Sequence, residues 1–276
     1  MTTPPIRLAI NGASGRMGSA LLALLRDDPR FELVHAVVSP GSADDGQPVN
    51  VRPGGALRFA HDWADAPALD VVIDFSGPAA LDGALTHCLA HGIALVSGTT
   101  GLDAAMEARL AQAGQRIALL RAANFSLGVA VLTRLLRDAA AALPGWDLEI
   151  VEAHHNRKQD APSGTALALG HAAAEARKAT LDHAAVYSRE GQTGPRAEGS
   201  IGFAVVRGGD IVGEHTALLI GQGERVELGH RATDRSIFAR GALQAAHWLS
   251  SRPAGHWQID DVIASPRQAT APPHHE

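Results

Sequence analysis

Several things are scarce in this sequence, and each scarcity excludes something. One cysteine, Cys88, stands among 276 residues. A single thiol rules out a disulfide framework and any zinc or iron–sulfur cage built on cysteines. It fits a reducing compartment. No charge sign dominates: 24 Lys and Arg stand against 29 Asp and Glu, for a formal net charge of −5. That balance lacks the basic excess of a broad nucleic-acid binder, so no nucleic-acid partner is expected. No run of about 18 apolar residues occurs, so no membrane span is expected either. The first apolar run, Ile6 to Ile10, is short and has no basic flank, so the chain reads as cytoplasmic rather than secreted. The closing stretch SPRQATAPPHHE (265–276) reads as a frayed tail.

What is present is a core. Hydrophobic residues make up 46% and charged residues 19%, enough for one large domain or two modest ones at roughly 100–200 residues each. The first half alternates short β-rich runs with Ala/Leu-rich helical stretches. Strands are expected at 6–10, 31–38, 70–75, 93–97 and 117–121, with helices at 15–26, 79–91 and 104–113 between them. Continuous apolar strands separated by helices predict a parallel sheet covered on both faces, a doubly wound Rossmann-type α/β domain. The rhythm changes after about Asn124. A helix at 128–142 precedes a strand at 146–153, a helix at 164–178, and strands at 200–207, 211–220 and 225–230. Gly208-Gly209 is a hairpin-like turn signal between two of these strands. This half reads as an α+β unit with an open mixed or antiparallel sheet, followed by a last helix at 236–249. The expected division is a dinucleotide-binding domain at 1–125, completed by 236–276, and a substrate and oligomerisation domain at 126–235.

The first strand runs into Asn11-Gly12-Ala13-Ser14-Gly15-Arg16-Met17-Gly18. Gly12 suits a tight turn, Gly15 lets a pyrophosphate approach helix N-terminal amides, and Gly18 allows close helix–sheet packing. The spacing is G-x-x-G-x-x-G rather than G-x-G-x-x-G, but its βαβ setting points to a dinucleotide. No Asp or Glu follows the second strand at Val37-Val38-Ser39-Pro40-Gly41, where an acid would accept from a ribose 2′-OH. With Arg16 in the loop, NADPH is expected to serve at least as well as NADH. Gly98-Thr99-Thr100-Gly101 and Ala122-Ala123-Asn124-Phe125 follow later strands. They fit the cofactor rim, or ordinary βα-loop chemistry.

Fourteen histidines raise the question of a metal. Only one pair has a chemical setting: His154-His155, inside Glu152-Ala153-His154-His155-Asn156-Arg157-Lys158-Gln159-Asp160-Ala161-Pro162-Ser163-Gly164-Thr165. The segment ends a strand, opens a helix, and gathers cations suited to an anionic substrate. Ser163-Gly164-Thr165 provides helix N-terminal amides for a carboxylate, or Ser163 or Thr165 simply caps the helix. No metal spacing such as H-E-x-x-H recurs. Glu152 and His154 at i, i+2 share a strand face, so a metal is the rival reading, and none is expected.

These pieces resemble the 4-hydroxy-tetrahydrodipicolinate (dihydrodipicolinate) reductase family. The matching segments are GASGRMG (12–18), DFSGP (74–78), GTTG (98–101), AANFSLGV (122–129), EAHHNRKQDAPSGTAL (152–167), YSREGQTGPR (187–196) and IGFAVVRGGDIVGEHT (201–216), in family order over nearly the whole chain. The resemblance implies reduction of a cyclic dicarboxylate by NADPH or NADH on the diaminopimelate route to lysine, in a homotetramer. It assigns Gly12, Ala13, Ser14, Gly15, Arg16, Met17, Gly98, Thr99, Thr100, Ala122, Ala123, Asn124 and Phe125 to the dinucleotide. It makes His154 a proton donor/acceptor and Lys158 a proton donor. His155, Gly164 and Thr165 would hold substrate carboxylates. Two features depart from the pattern: no acid at Val38, and no basic residue near Ser39 or at Gly77.

Overall fold

The computed structural model describes residues 4–51 and 56–264; the expected tail at 265–276 lies outside the described residues. The elements in chain order are β1 (Ile6–Asn11), α1 (Arg16–Leu25), β2 (Phe31–Val37), β3 (Val71–Asp74), α2 (Pro78–His91), β4 (Ala94–Ser97), α3 (Ala104–Ala113), β5 (Ala118–Arg121), α4 (Leu127–Ala142), β6 (Asp147–His154), α5 (Gly164–Ala176), α6 (Leu181–Ala184), β7 (Ala185–Val186), β8 (Ile201–Arg207), β9 (Gly213–Ile220), β10 (Arg225–Ala232), α7 (Ser236–Leu249), β11 (Gly255–Trp257) and α8 (Ile259–Ile263). Two compact units form. The first takes the described residues of Met1–Phe125 and Phe238–Glu276, and the second takes Ser126–Ile237.

In the first unit, side chains alternate across each strand and feed two cores. Val71 and Ile73 of β3 join Leu8, Ile10, Leu21 and Leu25, together with Ala242, Leu243 and Leu249 of α7. Val72, between them, joins Leu81 and Leu85 of α2 and Leu110 of α3 on the opposite face. All six strands are parallel, in the order β11-β5-β4-β3-β1-β2. This is the doubly wound architecture. The direction of winding reverses between β1 and β3, so a ligand site is favoured at the carboxyl ends of those two strands. The edge strand β11 pairs Gly255–Trp257 with Ala118–Leu120. Its three residues carry no apolar run that would mark a strand.

The second unit holds a mixed sheet in the order β10-β9-β6-β8-β7. β6 runs parallel to β8 and antiparallel to β9. The hairpin expected at Gly208-Gly209 is therefore corrected: β8 and β9 are separated by β6, and the turn crosses its end. There Gly208 N–H donates to the carbonyl of His154, and Asn156 N–H donates to the carbonyl of Gly209. A Gly-Gly pair signals reversal of the chain, which a crossover satisfies as well as a hairpin does. On one face of the sheet Leu148, Ile150, Ile201, Phe203, Ala217 and Leu219 pack against Leu132 and Leu136 of α4 and Ala166 and Leu169 of α5. On the other face Ala204 and Val206 are exposed. α5 stops at Ala176, earlier than expected, because Lys178 turns to φ 58° and Arg177 N–H caps the carbonyls behind it.

Candidate active site

The glycine loop follows β1 at the winding reversal. Gly12 takes φ +81°, and a Cβ there would stand 2.5 Å from the carbonyl oxygen of Phe75, which follows β3. Gly18 lies so close to the carbonyls of Gly12 and Ala13 that a side chain would overlap both. Ala13 is buried in the core, Ser14, Gly15 and Arg16 are exposed, and Met17 packs on the core edge. Gly15 is the N-cap of α1 and supplies no side chain to its first turn; Gly77 does the same for α2. By contrast α3, α4 and α5 are capped by Asp103, Ser126 and Ser163. The side-chain-free end of α1 at Gly15 fits a dinucleotide pyrophosphate, while Gly12 lets the loop pass against the backbone of Phe75.

The later loops are set by a buried carboxylate. Asp74 accepts hydrogen bonds from Asn11 Nδ2 at 2.8 Å, Ser76 Oγ at 2.5 Å, Ser97 Oγ at 2.7 Å and Thr99 Oγ1 at 2.7 Å. It ties together the carboxyl ends of β1, β3 and β4. The Thr99 hydroxyl is thus engaged with the protein, while Thr100 is exposed. Gly98 leaves room for the Phe75 ring. Ala122 N–H donates to the Ser97 carbonyl. Ala123 is exposed and Asn124 half-buried. Phe125 is buried, edge-on to Phe75 with ring centres 5.3 Å apart.

In the second unit the apolar row of the inner face turns polar where α5 begins. Continuing the alternation of Leu148 and Ile150, β6 presents Glu152 and then His154 on the same face. Register places His215 opposite Glu152 and Arg207 opposite His154. Glu152 is buried, and three donors and an imidazole nitrogen surround its carboxylate. Arg207 gives Nη1 to Oε2 and Nη2 to Oε1, each at 2.8 Å. The Ser163 N–H reaches Oε1 at 2.9 Å, and His154 Nδ1 lies 2.6 Å from Oε2. Burial pushes the Glu152 carboxyl up, but its bonds from Arg207, His154 and Ser163 outweigh this and hold it below the usual range. His215 meets the Ser163 hydroxyl through Nε2 at 3.0 Å. Its ring stands 5.1 Å from that of His154 at 74°.

The rest of the motif is a loop held at two points. Lys158 Nζ bonds both oxygens of Asp160, at 2.8 and 2.9 Å. Arg207 Nη2 donates to the Asp160 carbonyl at 2.7 Å. His155 is half-buried, and its Nδ1 is buried with no hydrogen-bond partner. Burial first, then the charges of Arg235 and Arg157, favour its neutral form. Ser163 caps α5 by accepting from Ala166 N–H at 3.1 Å. Of the two roles open to it, the structure shows the cap. Gly164 and Thr165 lie in the first turn beyond it. His154, His155, Lys158, Gly164 and Thr165 are therefore brought to one end of one unit. Arg207 and His215 join them without having been singled out for this role in the sequence. The Glu152–His154 pair, a metal candidate by spacing, is instead a carboxylate–imidazole contact closed by Arg207. Among the described residues, no group of three or more His, Cys, Asp or Glu side chains gathers to hold a metal.

Family models described as dihydrodipicolinate reductase, N-terminus and C-terminus, match residues 6–125 and 128–263. The chain belongs to the dihydrodipicolinate reductase family. A 4-hydroxy-tetrahydrodipicolinate reductase of Xanthomonas campestris pv. campestris is 50% identical over 263 residues, 95% of this chain and 100% of the relative. Another, of Thiobacillus denitrificans, is 48% identical over 262 residues, 94% of this chain and 98% of the relative. A dipicolinate-bound dihydrodipicolinate reductase from Paenisporosarcina sp. TG-14 shares the fold, with a TM-score of 0.76 at 23% identity over 94% of this chain and 100% of that one. Within this reductase family member, the glycine loop lies in the part matched by the N-terminal model. The His–Lys loop, Arg207 and His215 lie in the part matched by the C-terminal one.

Proposed function

We propose that the protein reduces 4-hydroxy-tetrahydrodipicolinate, through dihydrodipicolinate, to tetrahydrodipicolinate on the diaminopimelate route to lysine. The carrying observation is His154, fixed by Glu152 at the end of β6, in the same unit as a half-buried His155 and the first turn of α5. A substrate with two carboxylates suits that setting. The amides of Gly164 and Thr165 at the helix N-terminus favour one anion, and His155, with its unpartnered Nδ1, offers a polar contact. The first unit holds the dinucleotide and the second the substrate.

A bound NADPH or NADH supplies hydride to the conjugated ring left after loss of water. The ring then carries an extra electron pair and requires one proton. His154 is the proton donor and acceptor at the ring. The ammonium of Lys158, once it leaves Asp160 for the substrate, stabilises the developing negative charge and shares with His154 the delivery of that one proton. The dinucleotide contacts are Gly12 to Met17, Gly98, Thr100 and Ala122 to Phe125, with Thr99 placing its loop through Asp74. With no acid at Val38 and Arg16 exposed, NADPH serves at least as well as NADH. The open sheet face bearing Ala204 and Val206 builds a homotetramer, and the enzyme works in the cytoplasm without nucleic-acid partners. No helix among the described residues is long and apolar enough to cross a membrane.

The test is a coupled assay. The condensation product of pyruvate and aspartate semialdehyde is supplied, and loss of NADPH or NADH absorbance is followed in parallel. Turnover with both, and kcat/KM for NADPH equal to or above that for NADH, is the expected result. No turnover with either removes the reading, and a strong NADH preference removes its cofactor part.

A further inference from the structure

We propose that Glu152, gripped by Arg207, is the positioning residue for His154: it keeps a proton on Nδ1 and so leaves Nε2 as the atom that exchanges a proton with the substrate. The inference deepens the reading above and rests on His154 as the proton-exchanging group.

The two nitrogens of the His154 ring have different surroundings. Nδ1 lies 2.6 Å from Glu152 Oε2. The other partners of that carboxylate are all donors: two guanidinium nitrogens of Arg207 and the backbone N–H of Ser163. A carboxylate held by a guanidinium fork and a backbone amide keeps its charge, and so acts as an acceptor toward the imidazole as well. The hydrogen in the short contact therefore belongs to Nδ1. The neutral ring then has its lone pair on Nε2, and the charged ring gains its second proton there.

Two further contacts support this. A Cβ at Gly213 would stand 3.0 Å from His154 Nε2, so the glycine leaves clear the nitrogen that has to work. The His215 ring, nearly perpendicular at 5.1 Å, bounds rotation from the other strand. The charged and titratable groups on the surrounding elements are Glu152 on β6, Arg207 on β8, His215 on β9, and His155, Arg157, Lys158 and Asp160 in the following loop. Within this set, the Glu152 carboxylate makes the hydrogen bond that distinguishes one ring nitrogen from the other.

Arg207 also anchors the loop through the Asp160 carbonyl. A clamp with no part in the chemistry is thus the competing account, and it predicts lost stability with no change of tautomer. Long-range proton–nitrogen correlation spectra of the full-length protein, labelled with nitrogen-15 histidine, separate the two. The His154 signal is identified by its loss in H154Q. The expected wild-type result is the Nδ1–H tautomer. In E152Q, which keeps the shape and removes the charge, that preference is expected to weaken, with kcat lowered by about 10²-fold. Substrate KM and NADPH affinity are expected to change far less. An Nε2–H tautomer in the wild type overturns the proposal, whether or not E152Q folds. So does an E152Q enzyme with the wild-type tautomer and kcat. Unchanged turnover in H154A would remove the reading beneath the proposal, and this outcome is told apart because the tautomer is read without substrate.

Discussion

The rings of His215 and His154 stand at 74° to one another, on neighbouring strands, with centres 5.1 Å apart. His215 is buried; its Nε2 is engaged with Ser163, and its Nδ1 has no hydrogen-bond partner. Burial is the main reason its pKa is pushed down to about 4, with His154 adding to the shift and Glu152 opposing it. The residue is therefore a neutral wall beside the His154 imidazole across the ordinary working range.

That depression makes folding pH-dependent. Below the ordinary value of 6.5, the unfolded chain takes up a proton at this position that the folded chain refuses. The stability contributed by neutral His215 is complete above that value and is lost as pH falls toward 4, to a limit of about 3 kcal/mol. Urea unfolding of the wild type and H215Q across this interval should show a steeper loss in the wild type. Equal slopes would mean that His215 titrates normally.

Removing the side chains assigned to proton transfer should be felt in turnover. H154A and K158A are each expected to lower kcat by about 10²-fold or more. In K158A the ion pair with Asp160 goes as well, so circular dichroism should accompany the assay. Near wild-type turnover in both variants would sink the assignment.

Thr165 sits half-buried in the first turn of α5, past the Ser163 cap. If it holds a substrate carboxylate equally in ground and transition states, T165A raises substrate KM and leaves kcat nearly unchanged. A fall in kcat at constant KM would contradict that role.

Gly241 offers a test of packing with a definite sign. On an uncrowded helix, Gly to Ala would stabilise by about 0.8–1.0 kcal/mol. In α7, however, a Cβ at 241 would overlap the carbonyl of Phe125. G241A is therefore expected to destabilise the protein, by about 1–3 kcal/mol as for other overpacked sites. Urea or thermal unfolding that showed higher stability would refute the close approach.

What was legible in the sequence follows from how far apart the interacting residues lie. Val71-Val72-Ile73 reads as a strand because a parallel strand buried on both faces is apolar without interruption. Element ends differ by one or two residues where caps and turns decide them, as at Lys178. Gly255–Trp257 is a strand only because β5 lies beside it. Gly208-Gly209 signals a turn, but the turn alone does not say which strand comes next to which. The site divides the same way. His154, His155 and Lys158 are neighbours in the chain, and their grouping was readable there. The shared face of Glu152 and His154 was visible too, but its partner was not. Arg207 lies 55 residues from Glu152 and His215 lies 52 from Ser163, and only strand register brings them together.

The placement of β6 between β8 and β9 has a bearing on biosynthesis. Its histidine motif leaves the ribosome before either strand that flanks it, and Arg207 and His215 arrive with those strands. The first unit waits longer, because the α7 residues that fill its core come after the whole second unit. A nascent chain carrying every residue of the His–Lys motif would thus have neither unit complete. Completion comes late, with nearly the whole chain made, and a C-terminal truncation that removes α7 should open the first unit's core while leaving the residues of the second unit's core in place.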